Sequence, residues 1–389
     1  MESVESPPFD PAVFDSLKAR LAADGPKAAA DQLCESLRKA GDYGKLFYAL
    51  LLKKRIEMGI LPIPTASAVD LSTAQQEQYE QAIREACRTV GRLFLDAGNI
   101  GAAFCYFNMI GEREPLVAAI EQYAPGPEDD VQPVVEVAFQ QAVHPRKGFD
   151  LVLERYGICA AITTATQFAG QLPPEARDYC ITRLAQSLHD QLSERLRAEI
   201  TEREGKAPTG SLAEMIDGRD WLFGEDAYHT DTSHLSSVVQ MSIELADPAG
   251  LQLARDLCAY GRRLAPNLRF PGTPPFENLY HDVDVYLSVL LGEKVEEGLA
   301  HFRAKITADP DGPDSFAAEV LVKLLVRLGR LEEALAVASE YFVNLDERQL
   351  SCPGVFDLSQ RLKDYGALAE VARKRNDPVH FLAGLIAAK

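Results

Sequence analysis

The chain of 389 residues is poor in the residue patterns that usually announce chemistry. Its seven cysteines, Cys34, Cys87, Cys105, Cys159, Cys180, Cys258 and Cys352, are scattered, odd in number and never spaced as Cys-x-x-Cys. That spacing argues against a disulfide framework and against a cysteine zinc site. There is one tryptophan, Trp221, and no apolar run near the roughly 20 residues of a membrane span. Phosphate-cradling Gly-x-x-x-x-Gly-Lys-Ser/Thr, dinucleotide Gly-x-Gly-x-x-Gly, His-Glu-x-x-His and Gly-x-Ser-x-Gly elbows are all missing, as are Asn-x-Ser/Thr sequons. Positive charge is in deficit, with 40 basic against 58 acidic residues, a net charge of -18 and a pI near 4.9. A surface of that sign repels phosphate backbones and anionic lipid, so no nucleic-acid or membrane partner is expected. A protein or peptide partner of basic character fits better. The opening Met1-Glu2-Ser3-Val4-Glu5 carries acids where a secretion signal needs bases, and a cytoplasmic location is the expectation.

What is abundant is helical periodicity. The hydrophobic fraction of 47% supplies a large core. Over residues 274–291, Phe276, Leu279, Tyr280, Val283, Tyr286, Leu287 and Leu290 recur at intervals of one, three and four, the stripe of an amphipathic helix. From 175 to 204, Cys180, Leu184, Leu188, Leu192, Leu196 and Ile200 fall at every fourth position, and Gly205 ends the run. Ser211 with Glu214 then forms a capping-box signature for another helix. Alternating β-branched strand runs are scarce, so the class is all-α. Residues 59–77, with Pro62 and Pro64, and residues 124–133 read as loops. The second sets a soft boundary, with N-terminal helical hairpins over 1–130 and a helical repeat region over 131–389, or one continuous solenoid.

Between 87 and 115, Gly91, Phe94, Gly98, Ala103, Phe107 and Pro115 resemble the tetratricopeptide repeat in identity and spacing. Small Gly91 and Ala103 would let two antiparallel helices approach, Gly98 would permit a left-handed turn, and the two phenylalanines would fill the seam. Looser copies follow at Gly329, Ala334 and Ala338, and again 34 residues on at Lys363, Leu368 and Ala372. Gly292, Gly298, Phe302 and Pro310 suggest another, and Gly41 to Leu46 an early one. The resemblance implies an α-solenoid of stacked antiparallel helical hairpins, tetratricopeptide-like, which binds a peptide or partner helix in a groove.

Chemistry is hinted at in two clusters, Tyr228-His229-Thr230-Asp231-Thr232-Ser233-His234 and Tyr280-His281-Asp282-Val283-Asp284. Glu277, His281, Asp284 and Ser288 share a polar row, with Asp282 offset from it. His229, His234, His281 and Asp284 together would suit Zn²⁺, with Asp282 or Asp231 as base or orienting group. That set would make a metal-dependent hydrolase, the alternative to a binding scaffold. The pair His281-Asp282 also resembles the His-Asp dipeptide of all-α HD-type phosphohydrolases. A bland account stands beside these: Asp231 caps a helix, His234 packs toward the core, and His281 and Asp284 lie on a solvated face. Around the clusters, Trp221, Tyr228, Arg262 and Glu277 are candidates for a binding surface.

Overall fold

The structure, a computed structural model, describes residues 11–66, 71–306, 315–343 and 345–389. Pro310, part of one repeat-like pattern, lies outside them. The described residues contain helices and turns and no strand, which bears out the all-α class. Among the described residues no helix is long and apolar enough to cross a membrane. The chain divides into two compact units, Met1–Tyr156 and Gly157–Lys389, whereas the sequence placed its soft boundary near 130. The linker at 124–131 is indeed non-helical but lies inside the first unit.

The first unit holds α1 (Pro11–Lys39), α2 (Tyr43–Glu57), α3 (Thr73–Asp96), α4 (Ile100–Ile110), α5 (Glu114–Gln122) and the short α6 (Gln132–Val135). The helix α7 (Pro145–Phe168) is broken at Gly157, where the two units divide. α1 is broken too, at Gly25, whose backbone is left-handed and extended (φ 81, ψ 179). Gln32 Nε2 donates to Ser16 Oγ at 2.6 Å. A continuous helix would hold residues 16 apart about 24 Å from each other, so the two halves of α1 must double back along one another. Asp24-Gly25-Pro26 makes the reversal: glycine accepts the positive φ and proline starts the second half.

α3 and α4 pack as the antiparallel pair that the 87–115 pattern implied. Gly98 is left-handed (φ 75), and a Cβ at Gly91 would fall 2.6 Å from the Phe107 ring, so only glycine allows this approach. Phe107 and Ala103 are wholly buried.

The second unit continues with α8 (Pro174–Glu204), α9 (Leu212–Ile216), α10 (Thr232–Met241), α11 (Pro248–Arg263), α12 (Leu279–Leu290), α13 (Val295–Ala304), α14 (Ser315–Arg327), α15 (Leu331–Tyr341), α16 (Val355–Leu362), α17 (Tyr365–Lys374) and α18 (Pro378–Ala387). All six residues of the every-fourth stripe on α8 are buried. Each step of four advances about 40° around a helix, so five steps sweep roughly 200°. No single neighbour covers that arc, and α9, α10 and α11 share it. Gly205 caps α8 in the left-handed conformation, and Ser211 and Glu214 close the expected capping box.

Adjacent helices pair as α11 with α12, α14 with α15 and α17 with α18. Gly329 (φ 74) turns between α14 and α15, and Lys363, 34 residues later, takes the same left-handed conformation (φ 57) between α16 and α17. α12 begins at Leu279, five residues after the expected 274; Pro274-Pro275 precede it, and Asn278 stands at its N-terminal boundary without a side-chain capping bond.

Candidate functional site

His229 is buried, with 6% of its surface exposed, and both ring nitrogens are engaged. Nε2 lies 2.8 Å from Glu199 Oε2 on α8, and Nδ1 lies 3.0 Å from the Tyr260 hydroxyl on α11. The same hydroxyl accepts the His229 backbone N–H at 2.8 Å, and Arg195 donates to the His229 carbonyl at 3.0 Å. A tautomer with the proton on Nε2 satisfies every partner: Tyr260 donates to Nδ1 and the ring donates to Glu199. Burial pushes the Tyr260 phenol up to about 12, so it remains a donor across the neutral range. This histidine pins the 224–231 loop to two helices through both of its ring nitrogens.

Asp231 accepts the backbone N–H groups of Ser233 and His234 at 2.8 and 3.2 Å and so caps α10. His234 sits half-buried in the first turn. The Ser233 hydroxyl, then those two amides, hold the Asp231 carboxyl below its ordinary range. A folded-state pKa below the unfolded one means the cap contributes fully above the ordinary aspartate range and loses its contribution as pH falls through the folded value. Asp231→Ala should therefore cost about 1 kcal/mol at neutral pH, and the difference from wild type should shrink below pH ~3.9. Urea unfolding at pH 7 and pH 3 checks this; an equal gap at both would show that the carboxylate is not the cap.

Asp284 is an ion-pair hub. Arg255 Nε donates to Oδ1 at 3.2 Å and Arg262 Nη1 to Oδ2 at 2.8 Å, with Arg255 also reaching Glu293 at 3.0 Å. Both oxygens thus serve the α11–α12 seam, and Arg262, an expected binding residue, is half of that lock. Trp221 lies under the Arg203 guanidinium, 4.2 Å from its ring centre, while Tyr228 is exposed.

The expected set of His229, His234, His281 and Asp284 is therefore not what comes together. Among the described residues the one grouping of metal-competent side chains is His281, Asp282 and His301, whose ligand atoms all lie within 4.8 Å of one another. His281 and Asp282 open α12, and His301 lies in the last turn of α13. The turn between these helices centres near Gly292, so residues equidistant from it, 282 and 301, meet at one level of the hairpin. That mirror relation is readable from the glycine and was the signal for His301.

Asp282 is the centre, with 1% of its surface exposed. Its Oδ1 lies 2.8 Å from His301 Nε2; its Oδ2 accepts from Lys305 Nζ at 3.0 Å and from the Asn278 backbone N–H at 2.9 Å. Glu277 accepts from Lys305 at 2.5 Å. The Lys305 hydrogen bond draws the Glu277 carboxyl below its usual range. Burial pulls the Lys305 ammonium down, but its bonds to Glu277 and Asp282 outweigh that and keep it above an ordinary lysine. The His281 ring stands edge-on to His301, centres 5.6 Å apart, and is open to solvent.

A different kind of surface lies in the first unit. Between the two halves of α1, α2 and the following loop runs an apolar groove. One section, of about 430 Å³, is lined by Phe14, Leu17, Leu37, Tyr48, Leu52 and Pro64. A second, of about 360 Å³, adds Leu21, Ala29, Ile56 and Pro62, and Leu17, Leu33 and Leu52 belong to both. Phe14 is 65% exposed and Tyr48 50%, large apolar faces left open to water. None of this was visible as a site in the sequence, because Val13, Leu17, Leu33 and Leu37 look like ordinary core positions until the reversal at Gly25 leaves them facing a gap. Comparison with models of known families, with curated proteins and with solved structures finds no match to this chain.

Proposed function

We propose that the protein is a helical-repeat binding module, built of tetratricopeptide-like hairpins, that holds a partner helix or peptide in the apolar groove of its first unit. The groove carries this reading: contiguous apolar surface of this size left exposed marks an interaction site. The repeat-like features support the finer architecture, namely the Gly91–Phe107 contact and the 34-residue spacing of the left-handed turns at Gly329 and Lys363. Burying a single Leu, Phe or Tyr from a partner in such a groove contributes about 1.5–3 kcal/mol before ordering costs.

Whole-chain charge favoured a basic ligand, but the groove's own surroundings have the other sign. Residues 11–66 carry nine basic side chains, one of them the buried Arg55, and six acidic ones, and Lys18 and Lys45, the latter also bonded to Asp42 at 2.6 Å, stand in the groove wall. The partner that fits here is an amphipathic helix with apolar residues at i, i+3, i+4 and i+7, bordered by acids. The metal-dependent hydrolase needed His229 beside His281, and the bonds of His229 to Glu199 and Tyr260 give that reading no support.

Selection of peptides from a displayed library on the full chain tests the proposal. Binders should converge on that apolar spacing with acidic flanks, and Tyr48→Asp, an exposed position, should weaken them at least tenfold. Binders lacking the pattern, or indifferent to Tyr48→Asp and Phe14→Asp, would overturn it.

A further inference from the structure

We infer that His281, Asp282 and His301 form a binding site for a divalent cation of the zinc, cobalt and nickel class, at the open end of the α12–α13 hairpin. It lies in the second unit and is independent of the groove.

The donor set has the chemistry of that class. Two imidazoles and one carboxylate are borderline ligands that suit Zn²⁺, Co²⁺ and Ni²⁺, whereas Ca²⁺ and Mg²⁺ ask for oxygen alone. The three donor atoms already lie within 4.8 Å of one another, close enough to face one central ion. Both helices hold their donors from rigid backbone, and His281 is on the solvent side while Asp282 is buried, which gives an entry path and a fixed floor.

The surroundings of Asp282 match what a coordinating carboxylate requires. Its Oδ2 is occupied by the Lys305 ammonium and the Asn278 N–H, which fix the plane of the group. Its Oδ1 is turned toward His301 and is the oxygen that would bind the ion. Outer partners of this kind orient a ligand and are worth about 10–100-fold in affinity. Lys305 is not a competing cation for the whole site, because Glu277 takes its second bond. With Glu277, Asp282 and Lys305 charged, the pocket carries one net negative charge, which a dication turns to one net positive beside open water. Three protein ligands leave a further position for water, the arrangement of an open rather than a closed structural site.

The test uses full-length protein stripped with chelator and carrying Cys105→Ser and Cys159→Ser, which removes the two exposed thiols as stray ligands. Calorimetric titration with Zn²⁺ should give one site per chain, and Co²⁺ should develop the visible ligand-field bands of a nitrogen–oxygen site. His281→Ala, at an exposed position, should weaken binding at least tenfold, as should His301→Ala. His189→Ala, at a histidine paired instead with Asp256 at 3.3 Å, should leave binding unchanged. Absence of binding in the parent protein, or one-site binding that survives both His281→Ala and His301→Ala, would overturn the assignment.

Discussion

Arg55→Ala should destabilise the first unit by about 3 kcal/mol or more, lowering its melting temperature by roughly 6–12 °C. Among the described residues Arg55 is the largest fully buried side chain, 2% exposed, and almost no water reaches its charge. Instead it donates to the Tyr79 hydroxyl at 3.0 Å, the Leu61 carbonyl at 3.1 Å and the Ala66 carbonyl at 2.6 Å, and its guanidinium lies 4.7 Å from the centre of the Tyr79 ring. Tyr79 in turn donates to the Pro64 carbonyl at 3.2 Å. One cation thus gathers the carbonyls of the loop after α2 and ties them to α3. Truncation takes the donor from two part-buried carbonyls and empties a large volume, and both costs fall on the same segment. That segment supplies Pro62 and Pro64 to the groove, so peptide binding should weaken along with stability. Arg55→Lys should recover little of either, since a point charge on a thin stem cannot span three acceptors or stack on the ring. Thermal unfolding and amide exchange over residues 60–66 read the two effects; unchanged exchange there would show that the loop does not depend on Arg55.

The second large effect should come from Phe107→Ala, about 3–5 kcal/mol, because the ring is wholly buried and its removal leaves a cavity between α3 and α4. The more telling variant is its partner. Gly91→Ala alone places a Cβ 2.6 Å from the Phe107 ring and must push the helices apart, so it should destabilise. In the Phe107→Ala background the same Cβ enters vacated space and gains the helix preference of alanine over glycine, worth about 1 kcal/mol. Gly91→Ala should therefore reverse sign between the two backgrounds, and a double-mutant cycle by chemical denaturation measures it. Simple additivity would mean that the contact does not set the spacing of the pair.

The Gly91–Phe107 contact was legible in the sequence, whereas the buried Arg55 was not. The every-fourth stripe of α8, the Ser211–Glu214 box, the Asp231 cap and the Gly98 turn are local devices, and each stands where the residues implied. The division of the chain was less readable: the acidic linker after α5 looks like a boundary, but Arg155 donates back to the Gly126 carbonyl at 2.6 Å and holds it within the first unit. At the candidate metal site, His281 was placed on a polar face correctly, while Asp282 was read as only offset from it. Its burial depends on His301 and Lys305, 19 and 23 residues away, and such pairings need the hairpin register. Asp284 was drawn the other way, into arginines from α11. Short-range geometry is written in spacing; which of two neighbouring acids turns inward is decided by what the next helix offers.

The scattered thiols of this chain acquire a use from their placement. Cys87 is buried in the first unit, and Cys180 and Cys258 in the second, while Cys105 and Cys159 are open to solvent. Burial raises the Cys87 and Cys258 thiols above their ordinary pKa, and only the thiolate reacts. Alkylation of the exposed pair is limited by reagent, whereas modification of the buried three must wait for the surrounding helices to part. With one clock in the first unit and two in the second, mass-resolved labelling separates the opening rate of each, and a ligand held in the groove would slow Cys87 while leaving Cys180 and Cys258 to keep their own time.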